Sequence, residues 1–253
     1  MNKNLSFILR FSLNDFKSKF SGSVLGALWA IAEPLITVLI YRFVYSVAFG
    51  QTEADGIPYY LWLSAGIAFW FFFSEGLKAV CSVYRDYSYI IKKVSLNKKA
   101  LPQGRALSAL YSHILFILVV IILCYINGTG IINPLYLLTG MVICYLFILL
   151  LGKILAILCA HLKDTSHILN IILNILFWLT PIFWNINGLP QNIKTVVELN
   201  PLAILTEIYR NGFFYGGFIS ADKILYLTGI LTVMFIVAYI SEKKYLPDIS
   251  DKL

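Results

Sequence analysis

Charge is scarce in this chain. Asp, Glu, Lys and Arg make up 13% of its 253 residues, about half the share found in soluble domains, while hydrophobic residues make up 59%. A surface built from so little charge would leave large apolar patches in water. The mean hydropathy of +0.80 therefore identifies lipid as the main solvent of the polypeptide. Cysteine is equally sparse. Cys81, Cys124, Cys144 and Cys159 lie in or beside apolar runs without CxxC spacing, which excludes a disulfide framework and reads as reduced packing residues. The histidines are His113 in an apolar run and His161 and His167, six apart, so none forms an i,i+3 or i,i+4 chelating pair and no metal site is expected. No GxxxxGK[ST] loop occurs, since the Gly-Lys pair at 152–153 is followed by Ile154. GxSxG and HExxH are missing as well. The chain is expected to hydrolyse no ATP by a phosphate loop and to hold no cofactor of its own. Arg10, Asp15, Lys17 and Lys19 break up any apolar core near the start, so no signal peptide is expected there.

Apolar stretches long enough to span a bilayer are abundant. They fall at 28–49, 59–77, 106–126, 135–160, 167–184 and 224–240, which predicts an all-α polytopic membrane protein with six transmembrane helices in a single domain. Six crossings place both termini on one side. That side carries fifteen Lys and Arg, in the N-terminal arm, in 78–105, at Lys163 and in the tail, against three on the other side, Lys194, Arg210 and Lys223. The positive-inside rule makes the basic side cytoplasmic. The net charge of +7 follows from this asymmetry and from anionic lipid headgroups, and no nucleic-acid partner is needed to explain it.

Three segments outside the spans carry further information. In the arm, 1–22, Leu5, Ile8, Leu9, Leu13, Phe16 and Phe20 share one helical face, and Arg10, Asn14, Lys17 and Ser18 share the other. This predicts an amphipathic helix lying in the membrane interface, although Phe7 and Phe11 fall off the apolar face. The segment 78–105 is too polar to span and too long for a turn, which predicts a cytoplasmic helix exposed to a partner, with its amphipathic stretch ending at Pro102. The connection 185–223 contains VVELNPLAILTEIYRNGFF, too apolar to be left in water. Two short re-entrant helices around Asn200–Pro201 satisfy that constraint.

Ionisable residues within spans are costly at bilayer depth and face protein or water. Arg42 shares a helical face with Val38, Tyr45, Ser46 and Phe49. That face looks either inward or, with Arg42 snorkelling, to the outer headgroups. Glu33, Glu75 and Lys153 lie near span ends. None of these four forms the spaced chain of a proton relay.

The stretch 19–50 resembles the first span of membrane subunits of bacterial polysaccharide ABC exporters, through Lys19, Ser23, Leu25, Gly26, Leu28, Trp29 and Pro34. FWFFFSE at 69–75, IIKKV at 90–94 with Leu101–Pro102, LKD at 162–164, FWLTPIFW at 177–184, LNP at 199–201 and the closing YLPDISDKL follow in the family order. Essentially the whole chain is covered. The resemblance implies a permease of the O-antigen, teichoic-acid and capsule export class in the bacterial inner membrane. It would act as a homodimer with two copies of a cytoplasmic ABC ATPase that holds the ATP and Mg, and its substrate would be a lipid-linked polysaccharide. By position, 4–20, 81–97 and 161–166 would contact the ATPase, with Arg85, Asp86, Lys163 and Asp164 as coupling residues. In that family the first and fifth spans line the conduit, which would place Arg42, Tyr45, Phe49, Phe177, Trp178, Phe183 and Trp184 along the translocation path. A glycan has no hydrophobic handle, but its sugar faces stack on aromatic rings. Two departures stand out: Val94 is followed by Ser95–Leu96–Asn97–Lys98 where the family usually has V.FP, and Lys163–Asp164 replaces the commoner Arg-Asp, removing a bidentate fork. The alternatives are an ABC exporter of a drug or lipid, or a membrane-bound transferase acting on a lipid-linked sugar.

Overall fold

The computed structural model describes residues 3–94, 96–129 and 133–253. Ser95, part of the departure noted above, and residues within the 127–134 turn lie outside them. Among the described residues the chain is almost wholly helical. The helices are α1 (Lys3–Ser18), α2 (Trp29–Tyr41), α3 (Tyr59–Asp86), α4 (Ser88–Lys93), α5 (Ala100–Ile126), α6 (Pro134–His161), α7 (Thr165–Leu179), α8 (Gln191–Glu198), α9 (Pro201–Arg210), α10 (Ala221–Tyr245) and α11 (Ile249–Lys252). Among the described residues, five helical stretches are long and apolar enough to cross a membrane: Trp29–Ala48, Tyr59–Lys93, Ala100–Ile126, Pro134–His161 and Ala221–Tyr245. A sixth apolar helix, α7, has 15 residues, about 22 Å at 1.5 Å per residue. It stops because Thr180 is driven to extended backbone (ψ 136°) by the proline that follows. The apolar run 167–184 is thus a helix followed by a turn.

Local chemistry sets most of the other boundaries. Asp55 and Gly56 both adopt positive φ, 51° and 76°, closing a two-residue hairpin between β1 (Glu53–Ala54) and β2 (Ile57–Pro58) as an Asp-Gly pair favours. Asn133 and Asn200 accept hydrogen bonds from Tyr136 N and Leu202 N, and the proline after each occupies a first helical position, where its missing N–H costs nothing. Asn200–Pro201 therefore separates two short helices, α8 and α9. Pro102 does not end a helix. It lies in the first turn of α5, where proline is equally harmless. The segment 78–105 consequently divides: 78–86 continues α3 without a break, α4 is a short helix of six residues, and 100–105 opens α5.

The central element is α3. It is buried along nearly its whole length between α5 and α6. Small residues permit the close approach. A Cβ on Gly152 of α6 would lie 2.5 Å from Val80 Cγ1, and one on Gly104 of α5 would lie 2.2 Å from Phe11 Cδ1. Phe11, off the expected apolar face of α1, is thus the ring that docks α1 onto α5, and it meets Tyr87 edge-on at 5.0 Å. Leu5 and Leu13, on that expected face, remain exposed. His113 is buried, stacked on Phe72 at 4.2 Å, with Nε2 2.9 Å from the Tyr209 hydroxyl. Lys153 pairs with Glu242 across α6 and α10 at 3.1 Å.

Candidate functional site

Two groups of residues stand out, at opposite ends of α3. At its C-terminal end, Arg105 of α5 bridges two carboxylates, Asp15 of α1 at 3.1 Å and Asp86 of α3. The Tyr87 hydroxyl donates to Asp15 at 2.8 Å, and the Ser82 hydroxyl donates to Asp86 at 2.7 Å. The Arg105 guanidinium also lies 5.1 Å from the Tyr87 ring centroid. Asp15 is almost wholly buried, so this knot fixes how α1 lies against the bundle. Arg85 and Lys163 belong to a different edge. Arg85, pointing away from Asp86, donates to the Lys163 carbonyl at 3.1 Å and so ties α3 to the turn between α6 and α7. Lys163 and Asp164 are exposed there. Of the four residues singled out from sequence, Arg85 reaches the turn that carries Lys163 and Asp164, whereas Asp86 faces Arg105. Asp15 and Arg105 were not marked from sequence, because only the fold brings residues 90 positions apart together.

Between the two ends, a cavity of about 810 Å³ opens among the end of α1, α2, α3 and α5. Phe71 and Phe72 form part of its wall, and Lys19, Glu33, Glu75 and Lys78 give it charge of both signs. Lys78 and Glu75 pair with each other at 2.9 Å, the local pairing their three-residue spacing permits.

The N-terminal end of α3 carries an aromatic cluster. Tyr45 stacks on Phe183 at 5.7 Å and approaches Phe49 at 5.7 Å and Tyr59 at 5.3 Å. Phe183 in turn meets Phe177 at 4.9 Å and Trp178 at 5.8 Å, and the Trp184 indole donates to the Trp178 carbonyl at 3.2 Å. The six aromatic residues marked from sequence therefore lie together. Tyr41 and the Tyr59 hydroxyl, which donates to the Phe183 carbonyl, complete the group. Arg42 opens a π-helical stretch, residues 42–48, which alters the angular spacing of side chains there. Its guanidinium sits 5.1 Å over the Tyr60 ring.

Arg210 was missed as a site residue. It is 8% exposed, donates to the Pro181 and Ile182 carbonyls at 2.8 Å each, and lies 3.3 Å over the Trp62 ring. It thereby clamps the turn that carries Phe183 and Trp184. The available signal was an arginine inside the apolar run of 185–223, where a charge survives only with partners. Among the described residues, no cluster of His, Cys, Asp and Glu is placed to hold a metal.

The family model described as ABC-2 type transporter matches residues 10–214. The chain is 26% identical over 240 residues to the O-antigen export system permease protein RfbA of Klebsiella pneumoniae, covering 91% of this chain and 89% of that protein. A second Klebsiella pneumoniae protein of the same name is 25% identical over 242 residues, at the same coverage. The protein of that name from Myxococcus xanthus is 23% identical over 223 residues, covering 87% of this chain and 85% of that protein.

Proposed function

The chain belongs to the ABC-2 type transporter family, and on that premise we propose that it is the membrane subunit of an exporter carrying a lipid-linked polysaccharide across the cytoplasmic membrane. The observation that carries this reading is end-to-end similarity to permeases named for O-antigen export. Energy comes from ATP hydrolysed with Mg on a separate cytoplasmic subunit, two copies of which serve a homodimer of this chain. Export of another amphiphile would use the same architecture, but the aromatic cluster favours sugar faces, which stack on rings.

The finer architecture follows from the same reading. Six passes, with α7 completed by the Thr180–Trp184 turn, put both termini in the cytoplasm. The exposed Leu5 and Leu13 of α1 suit a helix resting in the interface, and the apolar α9 suits a re-entrant position between α7 and α10. Arg85, Lys163 and Asp164 form the edge that meets the ATPase.

Co-expression with a cognate ATPase tests the proposal in a strain lacking its own polysaccharide permease. The two subunits are expected to copurify in equal amounts and to restore polysaccharide at the cell surface. ATP hydrolysis by the homogeneous isolated chain, or export without the ATPase, would sink it.

A further inference from the structure

Cys81, Cys124, Cys144 and Cys159 are all free and buried. Two of them meet. Cys81 of α3 and Cys159 of α6 are each 1% exposed, and the Cys81 thiol has two acceptors within reach, the Leu155 carbonyl at 3.7 Å and the Cys159 sulfur. Leu155 and Cys159 are four residues apart and share one face of α6, the face against which α3 packs. The helices approach closely there because Val80, next to Cys81, fills the space over Gly152.

A cation completes the group. Arg85, one turn beyond Cys81, holds Nη1 3.7 Å from the Cys159 sulfur and 3.1 Å from the Lys163 carbonyl. A guanidinium beside a sulfur favours the thiolate, which is the nucleophilic form, and the Cys81 thiol donates to that same sulfur. Packing alone asks for none of this, since a buried cysteine serving as a small apolar side chain needs neither a cation nor a second thiol. An activated sulfur with a second sulfur beside it is the equipment of a reversible thiol switch. Burial keeps bulky oxidants out, so the oxidant is small and of the hydroperoxide class.

We propose that Cys81 and Cys159 form a reversible disulfide when a peroxide reaches this end of the bundle, and that the bond controls the Arg85–Lys163 edge. The Cys159 thiolate attacks one peroxide oxygen, the O–O bond breaks, and the departing hydroxide takes up the proton that the thiol had released, leaving a sulfenic acid. The Cys81 sulfur then attacks the sulfenic sulfur, the S–O bond breaks, and the oxygen leaves with the Cys81 proton as a second water. Two thiols and hydrogen peroxide thus become one disulfide and two waters, and a dithiol reverses the change by exchange. Oxidation removes the charge that Arg85 faces on Cys159. Closing the sulfurs to about 2.05 Å also draws α3 against α6 beside the Lys163 turn. The reduced pair is the working state, as a cytoplasm that keeps thiols reduced requires. The bond stands apart from the function proposed above, whereas its effect on export rests on that function.

Thiol counting tests the pair in the full chain assembled with its ATPase, with Cys124→Ala and Cys144→Ala leaving only these two. After hydrogen peroxide and denaturation, both are expected to be blocked to a polyethylene glycol maleimide and to return with dithiothreitol. Peptide mapping is expected to find one cross-link, between positions 81 and 159 of a single copy. The wild-type chain is expected to lose two thiols of four, which serves if the double variant fails to fold. Retention of all thiols, sulfonic acids without a cross-link, or a bond between copies would each overturn the switch. Arg85→Gln is expected to slow cross-linking at least fivefold, and an unchanged rate would refute the part given to Arg85. Wild-type export is expected to fall at least fivefold on oxidation and to recover with dithiothreitol, whereas Cys81→Ala export is expected to be insensitive. Equal loss in both would refute control of the edge. Untreated wild-type export is measured first, because its absence would strike the proposed function and leave the thiol count to decide on the bond.

Discussion

Arg105 holds carboxylates from two different helices, and the two contacts differ in weight. Asp15 is 3% exposed at its side chain and Asp86 is 41% exposed, so the first pair is the one whose loss leaves a buried charge uncompensated. Arg105→Ala is predicted to destabilise the chain by about 3–5 kcal/mol, read by denaturation in detergent, with Asp15→Asn in the same chain restoring part of it. Loss of the more solvated Asp86 contact alone is worth about 1 kcal/mol or less. Charge reversal at Asp86 would thus disturb the α1–α5 knot rather than report on the ATPase contact. Asp164 is the cleaner probe, being exposed and making no cap hydrogen bond. Asp164→Lys is predicted to lower transport while leaving insertion intact, since a lost charge pair at an interface costs several kcal/mol. Normal transport would remove Asp164 from that interface. Lys153 shows why single residues resist reading from sequence. It lay within snorkelling reach of the membrane surface, yet its partner Glu242 is 89 positions away in the chain.

Helices read well where one signal dominates. The long apolar runs marked α5, α6 and α10, and Asn200–Pro201 placed the start of α9. The end of α3 read poorly, because Lys78, Arg85 and Asp86 look like the close of a span. Helix propagation needs only good formers and a packed face, and Val80, Val83 and Tyr84 supply that face among buried neighbours. The aromatic cluster was legible as a set of residues but not as a contact, since its parts come from residues 41–49, 59–62 and 177–184 and depend on a π-helical stretch and an arginine clamp. Tyr45 has four ring neighbours, and aromatic pairs are worth about 0.5–1.5 kcal/mol each. Tyr45→Ala is predicted to slow export several-fold without loss of ATPase binding, measured as surface polysaccharide against copurified ATPase. Unchanged export would place the ring outside the path.

For the molecule as a whole, the open arithmetic is one of parity. If α7 crosses, Lys252 shares a side with Lys93. If α7 with its turn only dips into the membrane, the C-terminus lies opposite. Six passes predict that cysteines at positions 93 and 252 label only after permeabilisation, while those at 53 and 127 label in intact cells. Labelling of position 252 in intact cells would reduce the count to five. Composition and charge placement were enough to read a polytopic bundle, whereas the order of packing, with α3 at the centre, needed the side-chain volumes of Gly104 and Gly152. That central position has a mechanical side. The 28 residues of α3 make a strut about 42 Å long with no proline hinge inside it, tied at one end to the aromatic cluster through Tyr59 and at the other to the Lys163 turn through Arg85. A strut of that length turns a tilt of about 5° at its base into a swing of about 3.7 Å at its tip, so a push delivered beside Arg85 arrives among the rings as leverage rather than as heat.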